Sequence, residues 1–147
     1  MNDVSESHTN LLSSNQTYKL NMIHHVQNIT FTNSILYLQT TNMVLSFCSF
    51  LDSQILIFGG NESSILFLNS KWTGTHYLKI SGQFCKTIYF DKCKFYNIKN
   101  FDGPVLVFSR NTVVHFKYCL LMRISGSVMQ AEYLDFIYAS GLVVKKK

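Results

Sequence analysis

The sequence predicts an all-β fold in which short strands wind into a solenoid of about five to six coils. Two observations predict it, an unusual composition and a repeated pattern. Of the 147 residues, 47% are hydrophobic and 14% are charged, whereas about 25% are charged in ordinary soluble domains. The chain is long enough for one domain with a sizeable core, and its apolar content excludes disorder for most of the chain. One proline, seven glycines and no excess of helix formers exclude collagen and disfavour a helix bundle.

An eight-residue pattern of the form apolar-x-apolar-x-x-[Ser/Cys]-x-[large apolar] recurs five times along the chain. Its first and third positions are Ile29 and Phe31, Met43 and Leu45, Ile65 and Phe67, Ile88 and Phe90, and Val114 and Phe116. Its sixth position is occupied by Ser34, Cys48, Ser70, Cys93 and Cys119. A degenerate sixth copy begins at Leu134. Consecutive copies begin 14, 22, 23, 26 and 20 residues apart, so that beyond the first interval the period is that of one solenoid coil.

The pattern has a physical basis in the geometry of a β-strand. Side chains alternate between two faces, so the first and third positions point to the same side, and the step to the sixth position bends the chain. We expect stacked coils to place equivalent residues in internal columns, about 4.8 Å apart. The first and third positions would form two core columns, and the sixth would form a column of small residues. A second apolar strand, such as residues 55–58 or 105–108, lies between copies.

The segments 88–97 and 102–108 are similar to the repeats of polymorphic outer-membrane-type surface proteins. Phe95-Tyr96-Asn97 matches the Phe-x-Asn element of those repeats, and Gly103-Pro104-Val105 partly matches their Gly-Gly-Ala-apolar element. Together with the eight-residue pattern, they make residues 28–141 resemble a right-handed parallel β-helix of the pectin-lyase-like kind. The resemblance implies a rod-like structural or adhesive role at a surface, usually as part of a longer chain.

An antiparallel β-sandwich or barrel is the alternative architecture. Phe58-Gly59-Gly60-Asn61 lies between two apolar runs and could form a hairpin turn, and Asp102-Gly103 is another turn signal. The recurring serine or cysteine at the sixth position favours the parallel β-helix, because an antiparallel meander has no reason to repeat it.

Three segments are expected: a polar N-terminal arm or cap at residues 1–27, the repeat domain at 28–141 and a basic tail at 142–147. No apolar run reaches the 18 residues of a membrane-spanning helix, and the first residues lack the pattern of a secretory signal. A cell-surface assembly and an intracellular complex both stay open as locations.

The basic excess is small. Thirteen Lys and Arg against eight Asp and Glu give a net charge of +5, and removing Lys145, Lys146 and Lys147 leaves +2 (10 minus 8). We interpret the tail as a solubilising segment, with contact to phosphate groups or an anionic membrane as the alternative. Nucleic acid is not an expected partner, because the charge density is low.

The four cysteines match no metal-binding spacing, and we expect neither a metal nor a cofactor. Cys48, Cys93 and Cys119 share the sixth position and are predicted to form a buried column of small residues with Ser34 and Ser70, with a disulfide or redox pair as the alternative. Neighbouring coils would bring Cys93 and Cys119 within disulfide range, but parallel Cβ directions disfavour that bond. Cys85 lies outside the pattern and is predicted to be the most accessible thiol.

A candidate binding surface combines tyrosines with charged residues. It consists of Tyr89, Asp91, Lys92, Lys94 and Tyr96, and its aromatic and polar groups could contact sugars. The eight acids are otherwise scattered along the chain, so no pair of catalytic carboxylates is indicated and we expect no enzyme activity. A carbohydrate-binding or carbohydrate-active β-helix protein, with Asp91 in its groove, is the alternative function.

The ends of the predicted solenoid indicate how it would interact. Strand edges at both ends recruit other chains unless they are capped. Leu142, Val143 and Val144 are apolar and run directly into the lysine tail, without an obvious cap. We therefore expect a non-catalytic structural or interaction protein, which docks through its ends onto other subunits or copies of itself in a larger assembly.

Overall fold

The computed structural model describes residues 2–3, 12–14, 16–20, 25–39, 42–58, 62–74, 79–83, 85–99, 103–109, 112–132 and 136–145. These residues form twenty strands and no helix, so none of them belongs to a helix that could cross a bilayer. The strands are β1 (Asn2–Asp3), β2 (Leu12–Ser14), β3 (Thr17–Leu20), β4 (His25–Gln27), β5 (Thr30–Thr32), β6 (Ile35–Leu38), β7 (Asn42–Ser46), β8 (Ser49–Leu51), β9 (Gln54–Phe58), β10 (Ser64–Leu68), β11 (Lys71–Gly74), β12 (Lys79–Gln83), β13 (Thr87–Asp91), β14 (Lys94–Lys99), β15 (Leu106–Ser109), β16 (Val113–Lys117), β17 (Leu120–Ser125), β18 (Met129–Glu132), β19 (Phe136–Ser140) and β20 (Val143–Lys145).

The strands pair in parallel into three sheets, which confirms the predicted parallel β-solenoid. Sheet A has the order β1-β3-β6-β9-β12-β15-β18, sheet B the order β2-β5-β8-β11-β14-β17-β20, and sheet C the order β4-β7-β10-β13-β16-β19. The antiparallel alternative is excluded, because β9 and β10, which flank the suspected hairpin, lie in different sheets. Strands β1 to β4, within residues 1–27, extend the same three sheets.

The apolar interior is closed over about four turns, slightly fewer than the five to six coils expected. In the turns β4–β6, β7–β9, β10–β12 and β13–β15, the inward apolar side chains are buried. In β16–β18, Ile124, Val128 and Met129 are only partly buried, because they lie near the end of the stack.

The inward residues of sheet C stack into two columns. One column contains Met43, Ile65, Ile88 and Val114, and the other contains Leu45, Phe67, Phe90 and Phe116. All eight side chains are buried. In the second column the ring centroids of Phe67 and Phe90 are 5.1 Å apart and those of Phe90 and Phe116 are 5.0 Å apart, with nearly parallel planes. Continuous ring stacking therefore runs along the axis of the core.

The first copy of the pattern has a different phase from the one predicted. Val26 pairs with Leu45, and Phe31 pairs with Phe50 rather than standing beside Leu45. Ile29 and Phe31 thus occupy the sixth and eighth positions of their turn. The apolar-x-apolar spacing fits both halves of the pattern, because both halves point inward, and the short first interval of 14 residues reflects this ambiguity.

The degenerate last copy is also shifted. The prediction placed Phe136 at the third position, but Ala139 is the residue that pairs with Phe116; residue 134 lies outside the described residues. When the first and last copies are aligned by their strand pairing, the residues at the third position are Val26, Leu45, Phe67, Phe90, Phe116 and Ala139. They are 19, 22, 23, 26 and 23 residues apart, so the true repeat is more regular than the predicted one.

The bend from sheet C to sheet B uses a left-handed backbone conformation in every turn. It is adopted by Asn28, Phe47, Asn69, Lys92, Tyr118 and Gly141, with φ between 49° and 64°. The amides of the first five bend residues each reach the next turn; for example, Phe47 N–H donates to the Leu68 carbonyl at 2.9 Å. Asparagine and glycine adopt this conformation readily, whereas phenylalanine and tyrosine do so at a cost in free energy.

The sixth position follows this bend, and its polar atom satisfies backbone groups inside the apolar core. The Ser70 hydroxyl shares its proton between the carbonyl oxygens of Leu45 (3.3 Å) and Leu68 (3.1 Å), and it accepts the Cys48 N–H at 3.2 Å. The Cys93 thiol donates to the Phe67 carbonyl at 3.3 Å. Buried backbone groups need such partners, which explains why serine and cysteine recur.

Ser34 belongs to another bend than the one predicted. It does not stack on Cys48; its N–H donates to the Ser53 hydroxyl at 3.2 Å, and its carbonyl accepts the Gln54 N–H at 2.8 Å. Both serines are buried at the bend from sheet B to sheet A. The displacement follows from the phase error of the first copy.

Replacing Ser70 with alanine should lower the free energy of unfolding by about 1–3 kcal/mol, because the buried Cys48 amide loses its acceptor. Urea unfolding at neutral pH measures the change. Ser70→Cys is the matched control, since cysteine occupies the same column in neighbouring turns. Its free energy of unfolding should fall clearly less than that of the alanine variant. An alanine variant as stable as the wild type would contradict the proposed role of the sixth position.

Candidate functional site

The five residues of the candidate binding surface lie on both sides of one bend. Tyr89 and Asp91 are on β13, Lys92 is the bend residue, and Lys94 and Tyr96 are on β14. Tyr89, Lys92 and Lys94 are exposed, while Asp91 and Tyr96 are half-buried. The structure brings them together along one edge of the solenoid, but on two adjoining faces: β13 belongs to sheet C and β14 to sheet B.

Tyr89 begins a ladder of stacked rings on the outer face of sheet C. Its ring centroid is 4.3 Å from that of His115, which is 4.7 Å from that of Tyr138, and the planes differ by 15° and 11°. The three residues pair in register on β13, β16 and β19. The rings cover each other's faces, so neighbouring ring faces are not available to a ligand.

The place of Tyr138 in the ladder was not predicted because of the phase error in the last copy. With Ile137 at the first position, Tyr138 falls on the outward second position, as Tyr89 and His115 do. A search for aromatic residues at equivalent outward positions of correctly phased copies would have found it. Burial lowers the pKa of His115, which favours a neutral imidazole within the stack.

Asp91 provides the carboxylate of this region. One of its oxygens, Oδ1, is buried without a hydrogen-bond partner in the described structure. Its register partner on β16 is Lys117, whose Nζ lies 5.6 Å from the centroid of the Tyr118 ring. The described residues contain no group of three His, Cys, Asp or Glu side chains that could hold a metal ion.

All four cysteines are free and buried, and the prediction that Cys85 is accessible is wrong. Cys85 is 0% exposed, because it lies at the bend from sheet A to sheet C, between buried Ser63 and Thr112 in neighbouring turns. Its thiol donates to the Ser63 carbonyl at 3.3 Å, as the sixth-position thiols do at their own bend. The bend from sheet A to sheet C therefore pairs a buried thiol with a backbone carbonyl, as the bend from sheet C to sheet B does.

Three of the four thiols, those of Cys48, Cys85 and Cys93, are poor nucleophiles. Burial raises the pKa of Cys48 and of Cys85 to about 11. Burial also raises the pKa of Cys93, and the adjacent Cys119 adds to this shift. Thiols that stay protonated at neutral pH are unreactive, which assigns these cysteines to packing and to hydrogen bonding at the bends.

The C-terminal end of the solenoid exposes apolar side chains. Val144 pairs with buried Leu121, so it occupies an inward position of sheet B, yet it is 59% exposed. Val143 is 46% exposed, and Leu142 is half-buried against the core. An inward position that is open to solvent differs from every equivalent position in the interior turns.

Comparison with known proteins returns no matching family model, no matching curated protein and no matching solved structure. The expected relation to pectin-lyase-like and polymorphic outer-membrane-type proteins is therefore not supported beyond the architecture, and the assignment that stands is the parallel β-solenoid itself, established by its strand pairing.

Proposed function

We propose that the protein is a non-catalytic structural subunit that stacks end to end with further copies of itself. The observation that carries this proposal is the exposure of Val144 at an inward position of the last strand of sheet B. Burying such a side chain under another turn is favourable, at about 25 cal/mol per Å² of apolar surface. The first turn of a second copy would supply that cover.

The geometry of the sheets supports a head-to-tail arrangement. Sheet A has β1 and β18 as its edges, and sheet B has β2 and β20. Because every strand pair is parallel, the edge of β18 or β20 can accept β1 or β2 of the next copy in the same direction. This contact is heterologous, so it leads to an open-ended stack rather than a closed dimer.

The distribution of charge between the two ends favours the same arrangement. Residues 1–18 contain Asp3 and Glu6 and no lysine or arginine, whereas residues 145–147 are all lysine. Opposite charges meet when the end of one copy contacts the start of another. Two lysine tails would repel each other, which disfavours a symmetric tail-to-tail dimer.

Val144→Asp should shift the protein to the monomer, because an acid at this inward position would be buried without a partner in the stack. Sedimentation velocity over a dilution series measures the change. We expect the wild type to form concentration-dependent species larger than a monomer.

The matched control is Leu51→Asp, the same change at an exposed apolar residue on β8, in the middle of sheet B. It should associate as the wild type does. A wild type that stays monomeric at all concentrations, or equal effects of the two variants, would contradict end-to-end stacking.

Carbohydrate binding at Tyr89 and Asp91 is less well supported. Sugars bind aromatic residues through the faces of the rings, and one face of the Tyr89 ring is covered by His115. Asp91 also lies on a different sheet from Lys94 and Tyr96, so the five residues are divided between two adjoining faces.

A further inference from the structure

The charge of the solenoid is concentrated on one of its three faces. The strands of sheet B contain five cationic residues and no acid, which gives +5 (5 minus 0). These residues are Lys71, Lys94, Lys99, Arg123 and Lys145. All five are exposed.

The strands of the other two sheets carry no net charge. In sheet A two lysines balance two acids, and in sheet C one lysine balances one aspartate. The residues concerned are Lys19, Lys79, Asp3 and Glu132 in sheet A, and Lys117 and Asp91 in sheet C. The asymmetry is therefore a property of sheet B and not of the chain as a whole.

The cations of sheet B lack acidic partners in the described structure. The salt bridge formed within the described residues joins Lys86 and Glu62 at 2.9 Å, and neither residue lies on sheet B. Lys71 and Lys94 are direct register partners on adjacent strands, about 4.8 Å apart along the axis. Like charges that face each other across strands repel, so an external anion between them would relieve the repulsion.

Aromatic side chains project from the bend that borders the same face. Phe47 and Tyr118 are 53% and 59% exposed, and both adopt positive φ values, 53° and 54°. The equivalent bend positions in other turns are filled by Asn28, Asn69 and Gly141, which tolerate this backbone, and by Lys92. Bulky residues held in a costly conformation and turned toward solvent indicate a role outside folding.

We propose that this basic face, formed by Lys71, Lys94, Lys99 and Arg123 and bordered by Phe47 and Tyr118, binds the surface of an anionic phospholipid bilayer. The lysine and arginine groups contact the lipid headgroups, and the two aromatic rings enter the interfacial region, where such rings are favoured.

The distribution of the cations favours a membrane over a nucleic acid. Lys94 and Lys99 lie on β14 on either side of Asn97, whose left-handed backbone (φ 52°) bends the strand, and the other cations lie on β11, β17 and β20. The charges cover the area of a sheet rather than following a track. A flat bilayer contacts an area, whereas single-stranded nucleic acid is bound along a groove with stacked bases.

The test is co-sedimentation of the full chain with phosphatidylcholine vesicles, with and without phosphatidylserine. We expect binding that requires phosphatidylserine and weakens as salt is added. Lys71→Gln combined with Lys94→Gln should lower the partition coefficient about 25-fold, or about fivefold for each lysine. Lys19→Gln combined with Lys79→Gln removes the same charge from sheet A and should bind nearly as the wild type does.

Phe47→Asn separates the aromatic contribution from folding. Asparagine suits the bend, so this variant should melt at a higher temperature than the wild type and still bind vesicles several times more weakly. If the two double lysine variants lost vesicle binding equally, the proposal would be overturned, because binding would then depend only on the net charge of the protein. Absence of phosphatidylserine-dependent binding would also overturn it, whether or not the basic face bound a single-stranded RNA oligonucleotide instead.

Discussion

Trp72→Ala is expected to lower the free energy of unfolding by about 3–5 kcal/mol. Trp72 is fully buried and stacks between Phe50 and Phe95, with ring centroids 4.9 and 4.6 Å away. It also meets the rings of Phe67 and Phe90 edge to face, at 5.3 and 5.8 Å. Truncation opens a cavity where the columns of sheets B and C meet. Guanidinium unfolding at one fixed protein concentration measures the loss.

Trp72→Phe is the control for this prediction. It keeps the stacked ring and removes the indole Nε1–H, which is buried without an acceptor in the described structure. The smaller ring lowers the free energy of unfolding, whereas removal of the unpaired donor raises it. The net change in the free energy of unfolding should therefore stay below about 1.5 kcal/mol. If alanine were tolerated as well as phenylalanine, Trp72 would not lie at the centre of a closed core.

Alkaline pH is expected to destabilise the protein through its buried thiols. Burial raises the pKa of Cys48 and Cys85 from 9.0 to about 11. The unfolded chain therefore releases these protons first, and the stability that is fully present below pH 9 falls as the pH rises toward 11. The loss at pH 11 should be about 2 kcal/mol for each thiol.

The double variant Cys48→Ser, Cys85→Ser isolates this effect, since serine fills equivalent bend positions at Ser70 and Ser63. Lysine and tyrosine titrations are common to both proteins and cancel in the comparison. Between pH 9 and 11 the variant should lose about 4 kcal/mol less than the wild type, as measured by urea unfolding at each pH. Parallel pH profiles would show that the thiols do not remain protonated in the folded protein.

The architecture could be predicted because the interior turns carry a strong periodic signal. Met43, Ile65, Ile88 and Val114 fall in one register column, and their spacing alone indicates it. The sixth-position serines and cysteines are informative for a physical reason, since a polar atom is needed wherever the backbone bends inside the core.

The phase of the terminal copies could not be predicted from the pattern. Ile29 and Phe31 satisfy the first half of the pattern as well as the second half, and only strand pairing distinguishes the two. The same error hid Tyr138 from the outward ladder. The burial of Cys85 was missed because the bend from sheet A to sheet C, which also contains Ser63 and Thr112, lies outside the eight-residue pattern.

The charged face of sheet B was missed for a related reason. Its five cations are spread over residues 71–145 and become neighbours only when the turns are stacked. Net charge along the chain is modest, so composition gave no indication of the asymmetry. Assigning each charge to a sheet requires the correct phase of every turn.

End-to-end stacking is tested most directly by cross-linking between the two ends. Leu12 and Val143 stand at opposite ends of one register column of sheet B, which continues through Thr30, Ser49, Lys71, Lys94 and Leu120. In a head-to-tail stack, Val143 of one copy would lie near Leu12 of the next. The native thiols are buried and should not react with a short bifunctional maleimide.

The double variant Leu12→Cys, Val143→Cys should give a ladder of covalent multimers with this reagent, and each single variant should stay monomeric. A dimer from Val143→Cys alone would indicate a tail-to-tail contact and contradict the head-to-tail stack. A double variant that remains monomeric at concentrations where light scattering detects association would contradict it equally.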